Sequence, residues 1–233
     1  DWNGTSCAFG LFSTFYSNNV NNVTGSYNES ASRILAYFGQ YTGSTGTGYA
    51  IFSVSGTTVT LEGSGNVTSS YPVQICNNYI PTLSRNYVTY SAGISRAYLY
   101  SISGSTLTQE AFISPTGGSV LQSLYDDDSD VVVYYTYQTS GQASNCRTHT
   151  LTASSITENS ASATFSTRAA FSAGMTIKFV GNRKFVAVIR DGVGNDPFSI
   201  YASVGTIDAA GTGITFGSEI LLNDYTGNYI KPG

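Results

Sequence analysis

The stretch SVSGTTVT, Ser53 to Thr60, returns as SISGSTLT from Ser101 to Thr108, a shift of 101 − 53 = 48 residues with five of eight positions identical. A degraded third copy, TLTASSIT, spans 150–157, and a fourth, SVGT, spans 203–206, steps of 49 and 53. The flanks repeat as well. Each copy follows a β-type run: RILAYF (33–38), NYVTY (86–90), DVVVYYTY (130–137) and KFVAVI (184–189). Each precedes another: TVTLE (58–62), TLTQEAFI (106–113), ITENSASATF (156–165) and ITFGSEILL (214–222). A further short strand opens each later unit, within 73–83, at SVLQSLY (119–125) and at MTIKFV (175–180).

Four strands per unit at this period constrain the fold strongly, because one small sheet cannot cover both of its faces unless neighbouring units stack against it. The expectation is an all-β, β-propeller-like domain of four repeats of about 48–53 residues, each a four-stranded antiparallel blade. Four- and five-bladed closure both stay open, and a two-sheet β-sandwich is the alternative. The repeats fall at approximately 33–72, 73–118, 119–173 and 174–222, flanked by part-units 1–32 and 223–233. The octet becomes the hairpin between a unit's third and fourth strands, with Gly56 and Gly104 meeting the turn's need for positive φ.

In ILAY, SVSGTTVTLEG, FVAVIRDG and ASVGT…ITFGSEILL, over roughly 33–222, the chain resembles the tandem blade-like repeats of phage tail-fibre and microbial surface proteins. The resemblance implies architecture and no particular activity, since such folds carry many functions.

Composition narrows the function. Of 233 residues, 61 are Ser or Thr, 25 Gly and 18 Tyr, while only 10% are charged, the palette of half-exposed strands and tight turns. A net charge of −4 with Arg scattered singly offers no basic face for nucleic acid. The longest apolar runs, 131–137 and 184–189, are too short to span a bilayer as helices. With Met175 as the only Met, the chain reads as a mature secreted or surface protein.

Candidate sites are few. Sequons stand at Asn3, Asn22, Asn28 and Asn66, a number that sixteen Asn in so Ser/Thr-rich a chain would produce by chance, roughly four. Cys7, Cys76 and Cys146 lack metal-ligand spacing, so one disulfide of open pairing plus one thiol is expected. Asp126 to Asp130, DDDSD, aligns with the turn between first and second strands and reads as a solvated turn, lacking the spacing of a Ca²⁺ loop. His149, the only His, falls inside a strand, and no G-x-S-x-G accompanies it. Asp191, Asp196 and Glu29 form no matched carboxylate set for glycoside hydrolysis. No cofactor motif is present. The long loops 39–48, 138–145 and 190–197 share one face, where Tyr41, Arg190 and Asp191 make a candidate ligand face for a sugar. The expectation is a non-enzymatic extracellular building block of a fibre or appendage, pairing strands with other copies of itself. A glycan- or receptor-binding module is the alternative.

Overall fold

The computed structural model describes residues 20–40, 46–70, 72, 74–92, 94–137, 144–159, 162–166, 170–191 and 199–223. The chain folds into four separate antiparallel sheets in sequence order. The first holds β1 (Val20–Asn28), β2 (Arg33–Gln40), β3 (Gly46–Ser55) and β4 (Thr58–Thr68). The second holds β5 (Gln74–Ile80), β6 (Arg85–Ser91), β7 (Ser95–Ser103) and β8 (Thr106–Ile113). In the third, β9 (Ser119–Asp126), β10 (Val131–Tyr137) and β11 (Ser144–Thr152) are followed by a broken fourth strand, β12 (Ser155–Glu158) and β13 (Ala163–Ser166), both pairing β11. The fourth repeats that arrangement: β14 (Ala170–Gly181), β15 (Lys184–Asp191) and β16 (Ile200–Ile207), with β17 (Ile214–Phe216) and β18 (Ile220–Asn223) both on β16. The first repeat therefore begins earlier than its sequence boundary at 33. Its opening strand is the polar, Asn-rich β1, which has no apolar signature to betray it.

The octets occupy equivalent hairpins. Ser55 pairs Thr58, Ser103 pairs Thr106 and Thr152 pairs Ser155, each across a two-residue turn. Gly56 and Gly104 both have φ of 58°, the positive first position of a type II′ hairpin. The fourth copy departs: SVGT lies along β16, and its hairpin follows as the longer loop 208–213, closed by Asp208 Oδ1 accepting from Thr212 N at 2.9 Å. Beyond the octet the ladder slips identically. Register breaks between Ile51 and Phe52 and between Leu99 and Tyr100 leave Glu62 and Glu110 unpaired. Ser53 Oγ donates to Glu62 at 2.5 Å and Ser101 Oγ to Glu110 at 2.6 Å. Such a bulge bends and twists the outer strand.

Each sheet is apolar on both faces, and alternation along the second strand assigns them. In β2, Leu35 and Tyr37 look to the next sheet and join Val88, Tyr90, Tyr98 and Tyr100. From the second sheet, Tyr87 and Leu99 meet Val132 and Leu151 of the third. From the third, Val131, Val133 and Tyr135 meet Phe185, Ala187 and Ile189 of the fourth. Each sheet thus has a leading face toward its successor and a trailing face toward its predecessor. Buried Tyr rings carry much of this packing, Tyr37 lying 5.9 Å from Tyr100 and Tyr98 5.6 Å from Tyr100, centroid to centroid.

The first strands line up in series, β1 beside β5, β5 beside β9 and β9 beside β14, while β1 and β14 lack comparable packing. Polar side chains stitch the series. Asn28 Nδ2 donates to buried Asn86 Oδ1 at 2.7 Å, Asn86 Nδ2 to Ser26 Oγ at 2.7 Å, and Asn78 Nδ2 to Ser123 Oγ at 2.9 Å. Gln122 Oε1 accepts from Ile177 N at 2.6 Å. The turns before the second strands form a parallel belt, with Ser30 donating to Ser84 Oγ at 2.7 Å, Thr82 to Asp130 at 2.8 Å and Arg183 N to Asp128 at 3.1 Å.

Candidate functional site

The most concentrated titratable chemistry among the described residues lies between the second and third sheets. β11 places His149 opposite Val132 and Glu158, fully buried. Its Nδ1 lies 2.6 Å from Tyr87 Oη of the neighbouring sheet, and its Nε2 3.6 Å from Glu158 Oε2. The Tyr134 ring packs 4.3 Å from the imidazole, centroid to centroid. Glu158 also accepts from the backbone N of Thr116 at 2.9 Å, from Thr116 Oγ1, and from Arg147 Nη1 at 3.3 Å. Burial pushes the His149 pKa down against the opposing pull of Glu158, so the imidazole is neutral at pH 7. Burial opposes ionisation of Glu158 too, but His149 and the Thr116 hydrogen bonds outweigh it and hold the carboxyl near a pKa of about 2. Burial drives the Tyr87 phenol well above its ordinary range. A phenol held protonated and a sealed imidazole have no route to a substrate, so the cluster acts as a polar rivet between sheets. Sequence reading placed His149 in a strand but missed its partners. The signal was available in the repeat alignment, which puts Tyr87 on the leading face.

The DDDSD turn resolves into inter-sheet bonding. The carboxylates of Asp126, Asp127 and Asp128 approach within 4.8 Å of one another. Asp126 is buried and accepts from Ser129 Oγ; Asp128 accepts from Arg183 N; Asp130 Oδ1 accepts from Thr82 and, at 2.7 Å, from Tyr125 Oη. Glu29 and Asp191 do not converge, because Glu29 lies in the β1–β2 turn and Asp191 at the opposite end of its sheet, closing β15. Asp196 lies outside the described residues. So does Tyr41, and with it most of the candidate sugar face; Arg190 sits in β15, paired with Ile200.

The expected disulfide is corrected: neither Cys76 nor Cys146 is part of one; Cys7 lies outside the described residues. Cys146 is buried in the core between the third and fourth sheets, where burial raises its thiol pKa and silences it. Among the sequons, Asn28 is corrected: it is buried with its amide committed to Asn86, leaving no room for a glycan. Asn22 is exposed, although its Nδ2 donates to Pro72 O at 3.0 Å; Asn66 is exposed on β4, and Asn3 lies outside the described residues. No protein-family model and no curated protein matches this chain.

Proposed function

We propose that the chain is a non-enzymatic extracellular structural or surface protein, a fibre or appendage subunit that assembles through β-strand pairing of its terminal segments. The observation that carries this reading is the series of sheets: among the described residues three junctions are packed and stitched, while the first and fourth sheets lack comparable packing on each other. Strand edges at the ends of a series are completed by adding more β-structure. The apolar run 9–16 and the segment holding Tyr225, Tyr229 and Ile230, both outside the described residues, are the segments whose sequence suits such pairing. The sealed setting of His149 supports the non-enzymatic side of the reading. Secretion would make Asn3, Asn22 and Asn66 available to glycan, and intact mass before and after deglycosylation tests it. The assembly is tested by light scattering and negative-stain microscopy of the full chain over rising concentration. Elongated, concentration-dependent particles are expected; a monodisperse monomer throughout overturns the reading.

A further inference from the structure

The 48-residue step that matches the first two octets also matches positions around them: Gly48 with Arg96, Ala50 with Tyr98 and Ser64 with Phe112. The first sheet thus builds the same strands with small residues where the second carries a guanidinium and two rings. Tyr98 has a packing duty, joining Leu35 and Tyr37 between the sheets. Arg96 and Phe112 belong to no core cluster among the described residues. Phe112 is 56% exposed, and Ile94 in the adjoining β6–β7 turn is 61% exposed.

Register places these residues on one face. Arg96 stands opposite Tyr90, and Tyr98 opposite Phe112, so Arg96 and Phe112 lie on a diagonal that a long side chain spans. The rings form a platform: Tyr90 and Tyr98 stack at 5.6 Å and 10°, Tyr98 and Phe112 at 6.0 Å and 26°, centroid to centroid. The Tyr90 and Tyr98 hydroxyls bond each other at 3.2 Å, and Thr68 of the first sheet reaches the Tyr90 hydroxyl. Ser69 and Ser70, just past Thr68, and Ser114, just past β8, are exposed. Arg96 is half-buried, yet no described carboxylate pairs with it, whereas Arg85 pairs with Glu110 at 3.7 Å and Arg147 with Glu158 at 3.3 Å.

We infer that this end of the junction between the first and second sheets binds a carboxylated pyranose of an acidic glycan, its apolar ring face on Phe112 and Ile94 and its carboxylate on Arg96. An unpaired guanidinium presents a planar fork that matches a carboxylate in two parallel hydrogen bonds. The exposed ring offers an apolar platform to the C–H face of a sugar. The rim of Ser and Thr hydroxyls suits a ligand covered in hydroxyls. A purely apolar partner would seal Arg96 without a counter-charge, and a phosphate backbone needs a row of cations where this patch has one. The inference stands independently of self-assembly.

The test is calorimetric titration of the full chain with two acidic probes, a galacturonate tetramer and sialyllactose, each beside its methyl ester, which keeps the rings and loses the charge. At least one acid should bind, and at least about tenfold more tightly than its ester. Arg96→Gln should weaken that binding at least about tenfold, and so should Phe112→Ser, which installs the residue type of the first sheet at the matching position. Neither side chain is in a core cluster, so thermal midpoints should hold in both variants. If neither acid binds the native chain at millimolar concentration, if acid and ester bind alike, or if binding survives both substitutions, the inference fails, and the assembly reading is untouched in each case.

Discussion

His149 decides how the molecule responds to acid. Its pKa is depressed in the folded state, so the unfolded chain binds the proton first, and the stability gained by burying a neutral imidazole is present above the unfolded value of about 6.5. It is lost as pH falls below that value, at up to about 1.4 kcal/mol per pH unit. Glu158 acts in a lower window, below its unfolded value of about 4.5 and down toward about 2. Thermal melts between pH 7.5 and 5 should fall in midpoint for the native chain and fall less for His149→Gln; parallel curves would remove His149 from the account. A second residue tests the packing. A Cβ on Gly205 would stand 2.3 Å from Phe185 Cζ, an aromatic ring with the core behind it. Gly205→Ala should cost about 1–3 kcal/mol in urea unfolding, and an unchanged midpoint would show that the ring yields. Neither site was legible as such in the sequence, since a lone His and a Gly in a strand gain meaning only from side chains 62 residues and 20 residues away.

The elements were more readable, for a physical reason. Hairpins closed by Gly at a positive φ leave a local signature, and the repeat multiplied it. Because Gly56 and Gly104 share a φ of 58° with nothing within 4 Å of an added Cβ, the strain of an Ala at either is purely conformational. Gly56→Ala and Gly104→Ala should each cost about 1 kcal/mol, nearly equally, and add in the double variant; unequal costs in chemical denaturation would break the equivalence of the hairpins. What sequence missed was β1, whose polar face earns its place through partners in other strands. Asn86 is buried between Asn28 and Ser26, so Asn86→Ala should cost about 1–3 kcal/mol by stranding both. An Asn-rich tract reads as loop until those partners are known.

For the whole molecule, each sheet packs on its sequence neighbours, which makes stability a sum of units and junctions. Inner sheets are held on two sides. Amide exchange should therefore be slowest in β6, β7, β10 and β11 and faster in β2, β3, β15 and β16, with fraying from both ends. Uniform protection across the four sheets would point to a closed ring. The repeat period foresaw this series of units, whereas the polar belt between turns did not follow from it, because Ser30, Thr82 and Asp128 belong to no shared motif.

The assignment of one leading and one trailing face to every sheet has a bearing on descent. A duplicated segment of this length carries both halves of the junction with it, so it is compatible with its parent the moment it is copied. The chain can gain or lose a unit without inventing a contact, and drift at one junction, Tyr–Tyr in the first and Tyr–His in the second, leaves the others untouched. Unit number in such a lineage is free to change faster than the side chains that fill the junctions.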